Sequence, residues 1–110
     1  MDGGDLIDID ATARALRTTA RDFGASPLAV VKAGTYEDAL TIGLWDLTQA
    51  DLATFSSNSV LVQARGGHFV MNDDPNVMLA AIGAVVSSAR TGRPLPNCSD
   101  LVVGTDGACP

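Results

Sequence analysis

Residues 60–75, with the sequence VLVQARGGHFVMNDDP, decide the fold of this chain. They begin with Val60-Leu61-Val62-Gln63-Ala64, a short apolar run typical of a strand buried in a parallel sheet. Gly66 and Gly67 end that strand. Asp73-Asp74-Pro75 then predicts the start of a helix, with an aspartate as cap and a proline in the first turn. The stretch therefore predicts a strand, a turn and a helix in direct succession.

Helices and strands alternate along the rest of the chain as well. Apolar spacing and capping residues predict a first helix over 11–23, capped by Asp8 or Asp10, and then a strand over 28–33. A loop over 34–43 and a helix over 44–55 are predicted next. The strand over 60–64 follows, and the last predicted helix runs from Asp74 or Pro75 to Arg90. This order, α-β-α-β-α followed by a polar tail, indicates an α/β fold with two parallel core strands and flanking helices. Two strands are few for an independent parallel sheet, so the chain is expected to belong to a larger one.

The last predicted helix has a candidate buried face. Met78, Ala81, Ile82, Val85 and Ala89 line one face of it. Its stripe of Met78, Ile82 and Val85 is predicted to pack on the sheet beside the 60–64 strand. On this interpretation, Ile82 is a core residue and its truncation unfolds the chain.

Composition and charge exclude several classes of function. The chain has 110 residues, of which 7 are basic and 13 acidic, for a formal net charge of −6. This balance argues against a nucleic-acid partner, because phosphate backbones are bound mainly through clustered lysine and arginine. No apolar run approaches the roughly 20 residues that a membrane helix needs. The acidic start, MDGGDLIDID, is neither a secretory signal nor a transit peptide.

Two cysteines, Cys98 and Cys109, lie in the polar tail. They are either unrelated thiols or a disulfide that closes a small loop in an oxidising compartment. The loop-like, exposed character of the segment favours the disulfide. A zinc site is not expected, because two cysteines and one distant histidine do not supply four ligands.

His68, the only histidine, is the candidate for chemistry. It follows a predicted buried strand, and in open α/β sheets reactive groups lie in the loops at the carboxyl ends of strands. Histidine changes its charge between pH 5 and 8, which suits proton transfer. Two alternatives stay open: an ordinary turn histidine, and a metal site formed with Asp73 and Asp74.

The stretch over 60–75 resembles the end of an α/β-hydrolase domain of the bacterial, actinobacterial-type serine hydrolases. There the last core strand runs into a Gly-His turn, and a helix that begins with proline follows. Residues 45–59 resemble the helix before that strand, and residues 27–31 resemble the preceding core strand. The resemblance covers about residues 8–93. It implies that residues 1–93 form the C-terminal segment of a hydrolase core. Residues 94–110 are expected, from their composition and two cysteines, to form an irregular, disulfide-closed tail.

The resemblance also implies roles for three residues. His68 would be the general base and acid of a Ser-His-Asp/Glu triad, and Glu37 or Asp38 would orient it. Alternatively, both carboxylates are solvated loop charges. The nucleophile is missing: the family's Gly-x-Ser-x-Gly motif does not occur, and residues 24–28, GASPL, lack the second glycine and precede a strand. The chain alone is therefore expected to be inactive.

The implied parent would hydrolyse a small-molecule ester or amide without a cofactor, and it would be secreted, with a signal peptide upstream of this segment. The partner of the chain would be the missing N-terminal half of the hydrolase, or a second copy that associates through the exposed sheet edge. The alternative from another class is a small non-enzymatic α/β binding or interaction domain, with His68 in an ordinary turn.

Overall fold

The computed structural model describes residues 8–19, 22–35 and 39–110. The elements in these residues, in chain order, are α1 (Ile9–Thr19), β1 (Leu28–Lys32), α2 (Ala39–Ala53), β2 (Ser59–Gln63), α3 (Val70–Asp73), α4 (Pro75–Thr91) and α5 (Cys98–Leu101). The predicted alternation of helices and strands is confirmed. None of the helices in these residues combines the length and the apolarity needed to cross a bilayer.

The two strands pair in parallel, as predicted, with a register that runs from Leu28 opposite Ser59 to Lys32 opposite Gln63. Because they are parallel, the loops that follow them leave from the same end of the sheet. Gly34 and the turn before His68 thus emerge side by side. This arrangement positions the candidate site.

Helices cover both faces of the sheet. The buried core on one face joins both strand and helix residues, namely Val60, Val62, Ala64, Val77 and Leu101. Successive side chains of a strand point to opposite faces, so Lys32 lies on the other side. There the Lys32 Nζ is 2.7 Å from the Asp46 Oδ1 of α2. The ion pair ties the carboxyl end of β1 to its covering helix.

The buried face of α4 agrees with the predicted one only in part. Val77, Ala81 and Ser88 are the buried residues of this helix. Of the predicted face, Ala81 is buried and Met78 and Val85 are half-buried, whereas Ala89 is exposed and Ile82 is 56% exposed. The helix is rotated about its axis relative to the prediction, so that Val77 faces the core. The interpretation of Ile82 as a core residue is wrong.

Helix α2 begins earlier than predicted. It starts at Ala39, so the second half of the predicted 34–43 loop is helical and Gly43 lies inside the helix. An internal glycine costs about 1 kcal/mol relative to alanine. Packing of α2 against both strands offsets that cost.

The tail is more ordered than the sequence predicted. Cys98 and Cys109 form the expected disulfide, with their Cα atoms 5.8 Å apart. Ala108 exchanges both backbone hydrogen bonds with Gln63, each at 2.8 Å, so the tail lies against the outer edge of β2. Leu101 of α5 enters the core. In the described part of the chain, no segment pairs with the outer edge of β1.

Reduction of the disulfide is expected to lower the free energy of unfolding by about 2–3 kcal/mol, because the bond restricts the unfolded chain. Urea unfolding with and without reductant measures the loss. Intact-mass analysis after alkylation should show two thiols only in reduced protein. Two freely alkylated thiols in protein made under oxidising conditions would contradict the bridge.

Candidate functional site

The loops after β1 and β2 are joined by backbone hydrogen bonds at the carboxyl end of the sheet. The Gly66 carbonyl accepts from the amides of Gly34, at 2.8 Å, and Thr35, at 3.0 Å. Gly34 has no room for a side chain, because a Cβ there would lie 2.5 Å from the Ala64 carbonyl oxygen. The loop that leads on to Glu37 is therefore fastened to the turn that carries His68.

The turn itself requires a glycine at position 66. Its φ is +94°, a conformation that side-chain-bearing residues rarely adopt. In addition, a Cβ at Gly66 would lie 2.6 Å from the Asp73 carboxylate. The prediction that the two glycines make a sharp turn and expose the imidazole agrees with this backbone.

Two adjacent carboxylates hold the turn and the following helix. The Asp73 Oδ2 accepts from the Gly67 amide at 3.0 Å. The Asp74 Oδ2 accepts from the Arg65 amide at 3.0 Å, and its Oδ1 accepts from the Val77 amide at 3.4 Å. Asp74 is thus the predicted cap of α4. The contact between Asp73 and Gly67 was not predicted, because helix-start patterns describe the sequence after a cap and not the turn before it.

The His68 ring is exposed at the tip of this turn. It makes an edge-to-face contact with Phe69, with ring centroids 5.3 Å apart, and Phe69 is itself 68% exposed. None of the hydrogen bonds among the described residues involves the imidazole. In the described part of the chain, the ring thus contacts Phe69 and is otherwise exposed.

The other members of the implied triad are not assembled around His68 in the described residues. Glu37 and Asp38 lie outside them. All serines of the chain lie inside them, and none hydrogen-bonds to His68. Ser26 precedes β1, at the opposite end of the sheet, and Ser56 bonds to the Ser26 carbonyl there.

A metal site at His68 finds no support. Within residues 8–19, 22–35 and 39–110, no three histidine, cysteine or acidic side chains form a group that could hold a metal ion. Asp73 and Asp74 instead accept backbone amides. Their contacts account for both carboxylates in the turn.

Replacement of His68 by alanine is expected to change the free energy of unfolding by less than about 0.5 kcal/mol, because the exposed ring supports little packing. Thermal or urea unfolding of the purified variant measures this. A loss of several kcal/mol would instead identify His68 as a structural residue and would remove the basis for a role in proton transfer.

Comparison of the chain with protein-family models, with curated proteins and with solved structures finds no match.

Proposed function

We propose that this chain is the C-terminal part of a serine hydrolase and that His68 is the general base and acid of its catalytic triad. One observation carries the proposal. An exposed imidazole stands on a glycine turn at the carboxyl end of two parallel strands, and that turn is hydrogen-bonded to the loop that continues into Glu37 and Asp38. Proton-transfer groups of open α/β sheets occupy such positions.

The proposed chemistry assigns one task to each group. His68 takes the proton of a serine hydroxyl as that oxygen attacks the carbonyl carbon of an ester or amide, and then gives a proton to the leaving group. Glu37 or Asp38 orients the imidazole and stabilises its charged form. The serine and the amides that bind the oxyanion come from the rest of the parent protein.

Exposed apolar surface supports the proposal that more of the sheet is missing. The outer edge of β1 is unpaired in the described part of the chain. The helices on both faces of β1 expose large apolar side chains, among them Leu40, Leu44 and Leu47 of α2 and Ile82 and Val86 of α4. Exposed apolar side chains of this kind are typical of surfaces that another part of a protein or a partner covers.

The disulfide is typical of proteins that fold in oxidising compartments, and it weakly fits an extracellular location. We propose that the parent protein is a secreted hydrolase, and the disulfide supports the proposed location. Its substrate belongs to the small esters or amides.

The proposal is tested first on the chain alone. With p-nitrophenyl butyrate, an activated ester, its turnover should exceed that of the His68→Ala variant by no more than the slow reaction of a free imidazole, because no nucleophile is activated. The variant lacks the imidazole, so the difference between the two proteins measures what His68 contributes. Stoichiometric, His68-dependent turnover by the pure chain would contradict the assignment as a hydrolase fragment.

The second test extends the protein upstream. The preceding coding region should contain an in-frame Gly-x-Ser-x-Gly, and the longer protein should hydrolyse the ester in a way that His68→Ala abolishes. Absence of the motif, or activity that does not depend on His68, would overturn the proposal. ANS fluorescence and light scattering add a check, since a monomer that binds no dye would instead favour the binding domain.

A further inference from the structure

Asp73 contacts the backbone on both sides of His68. Its Oδ2 accepts from the Gly67 amide at 3.0 Å, and its own backbone amide donates to the Phe69 carbonyl, also at 3.0 Å. The residue before His68 is thus held by the side chain of Asp73, and the residue after it by the main chain of the same residue.

The space around Gly66 shows how closely the carboxylate fits the turn. A Cβ at Gly66 would lie 2.6 Å from both the Cβ and the Oδ2 of Asp73. The Arg65 Nη2 donates to the Asp73 carbonyl oxygen at 3.1 Å, which adds a third connection between Asp73 and the turn. The Gly66 carbonyl in turn accepts hydrogen bonds from the loop after β1, through the amides of Gly34 and Thr35.

We propose that Asp73 is a positioning residue for His68: its carboxylate fixes the Gly67 amide and so sets where the imidazole stands relative to the loop after β1. The importance of this role for catalysis rests on the proposed hydrolase function. Asp73 itself touches no reacting atom.

Asp73 differs from its neighbour in the kind of contact it makes. Asp74 is 1% exposed and links β2 to α4 through the Arg65 and Val77 amides. Asp73 is exposed, so its replacement leaves no buried polar group without a partner. The effect of losing Asp73 should therefore be confined to the turn, whereas the effect of losing Asp74 should spread through the fold.

The test measures amide hydrogen exchange and the NMR signals of His68, which are unique because the chain has one histidine. In Asp73→Ala, exchange at Gly67 should rise at least about tenfold, because hydrogen bonds to charged acceptors contribute strongly to local stability. The nuclear Overhauser effect between the His68 and Phe69 rings should weaken. Exchange at Val62, buried in β2, should stay within about twofold of the unmodified chain.

Two further variants separate the hydrogen bond from the charge. Asp73→Asn keeps an oxygen acceptor, so Gly67 protection should stay within about threefold of the unmodified chain. Asp100→Ala removes the same charge from α5 and should leave both readouts unchanged. Equal Gly67 exchange in Asp73→Ala and the unmodified chain would overturn the proposal, and so would equal effects of the Ala and Asn variants.

Asp73→Asn also covers the case in which Asp73→Ala unfolds. Gly67 protection in Asp73→Asn more than about threefold below that of the unmodified chain would then overturn the proposal. Failure of the hydrolase proposal is a different result, namely upstream-extended protein whose activity does not depend on His68.

Discussion

Truncation of Leu101 to alanine is expected to lower the free energy of unfolding by about 2–5 kcal/mol, the range measured for buried leucines. Leu101 is 6% exposed and packs in the core with Val60, Val62 and Val77. It reaches that core from α5, in the tail. The expected loss is a large share of the whole stability of a small domain. Urea unfolding followed by circular dichroism measures it.

Ile82→Ala is the matched control, because it removes a side chain of equal size from α4. Ile82 is 56% exposed, so its truncation leaves no closed cavity and should cost about 1 kcal/mol or less. A larger loss for Ile82 than for Leu101 would show that the solution core follows the sequence-predicted face of α4 and not the face described above.

Replacement of Asp74 by alanine should cost about 2–4 kcal/mol, through two losses that add. The first is the cap on the first turn of α4, where the Asp74 carboxylate accepts from the Val77 amide. The second is the partner of the Arg65 amide, which would be left unsatisfied at the end of β2. The end of β2 and the first turn of α4 should both be less stable in the variant.

Asp74→Asn provides the graded comparison, because asparagine is a good helix cap but carries a single side-chain oxygen. It should retain the bond to one of the two amides and lose part of the stability that Asp74→Ala loses. Denaturant unfolding of the three proteins ranks them. Equal stability of Asp74→Ala and the unmodified chain would contradict the capping role.

The strands and the start of α4 were predictable because their signals are local. Each strand is a short apolar run bounded by turn residues, and the cap at Asp74 followed by Pro75 marks a helix start by itself. The start of α2 was not predictable in the same way. Gly34, Gly43 and the polar stretch over 35–38 favour a loop, whereas α2 packs on both strands from Ala39 onward.

The buried face of α4 shows a second limit of prediction from the sequence. Spacing placed Met78, Ala81, Ile82, Val85 and Ala89 on one face of the helix, but the buried residues are Val77, Ala81 and Ser88. The face that packs on the sheet is thus rotated from the predicted one. That rotation depends on contacts with residues that are distant in sequence, such as Val60, Val62 and Leu101.

The candidate site was also predictable from the sequence only where its signals are local. The exposed His68 turn followed from two glycines after a strand. The hydrogen bond from the Gly67 amide to the Asp73 carboxylate could not be predicted in this way. It closes a turn across six residues and leaves no periodic pattern in the sequence. The role of Glu37 or Asp38 remains a prediction from resemblance, to be decided by activity measurements on the extended protein.

In the described residues, the tail covers one edge of the sheet and leaves the other edge open to a further strand. A strand that added beside β2 would have to displace Ala108, which a covalent loop holds against Gln63, whereas the side of β1 is open in the described residues. Two copies that met at β1 would use up the open side of each. Such an assembly stops at a pair, since an unending fibre needs two different sides that can join. If copies of the chain associated through this edge, the disulfide-closed tail would block the addition of a further strand at β2.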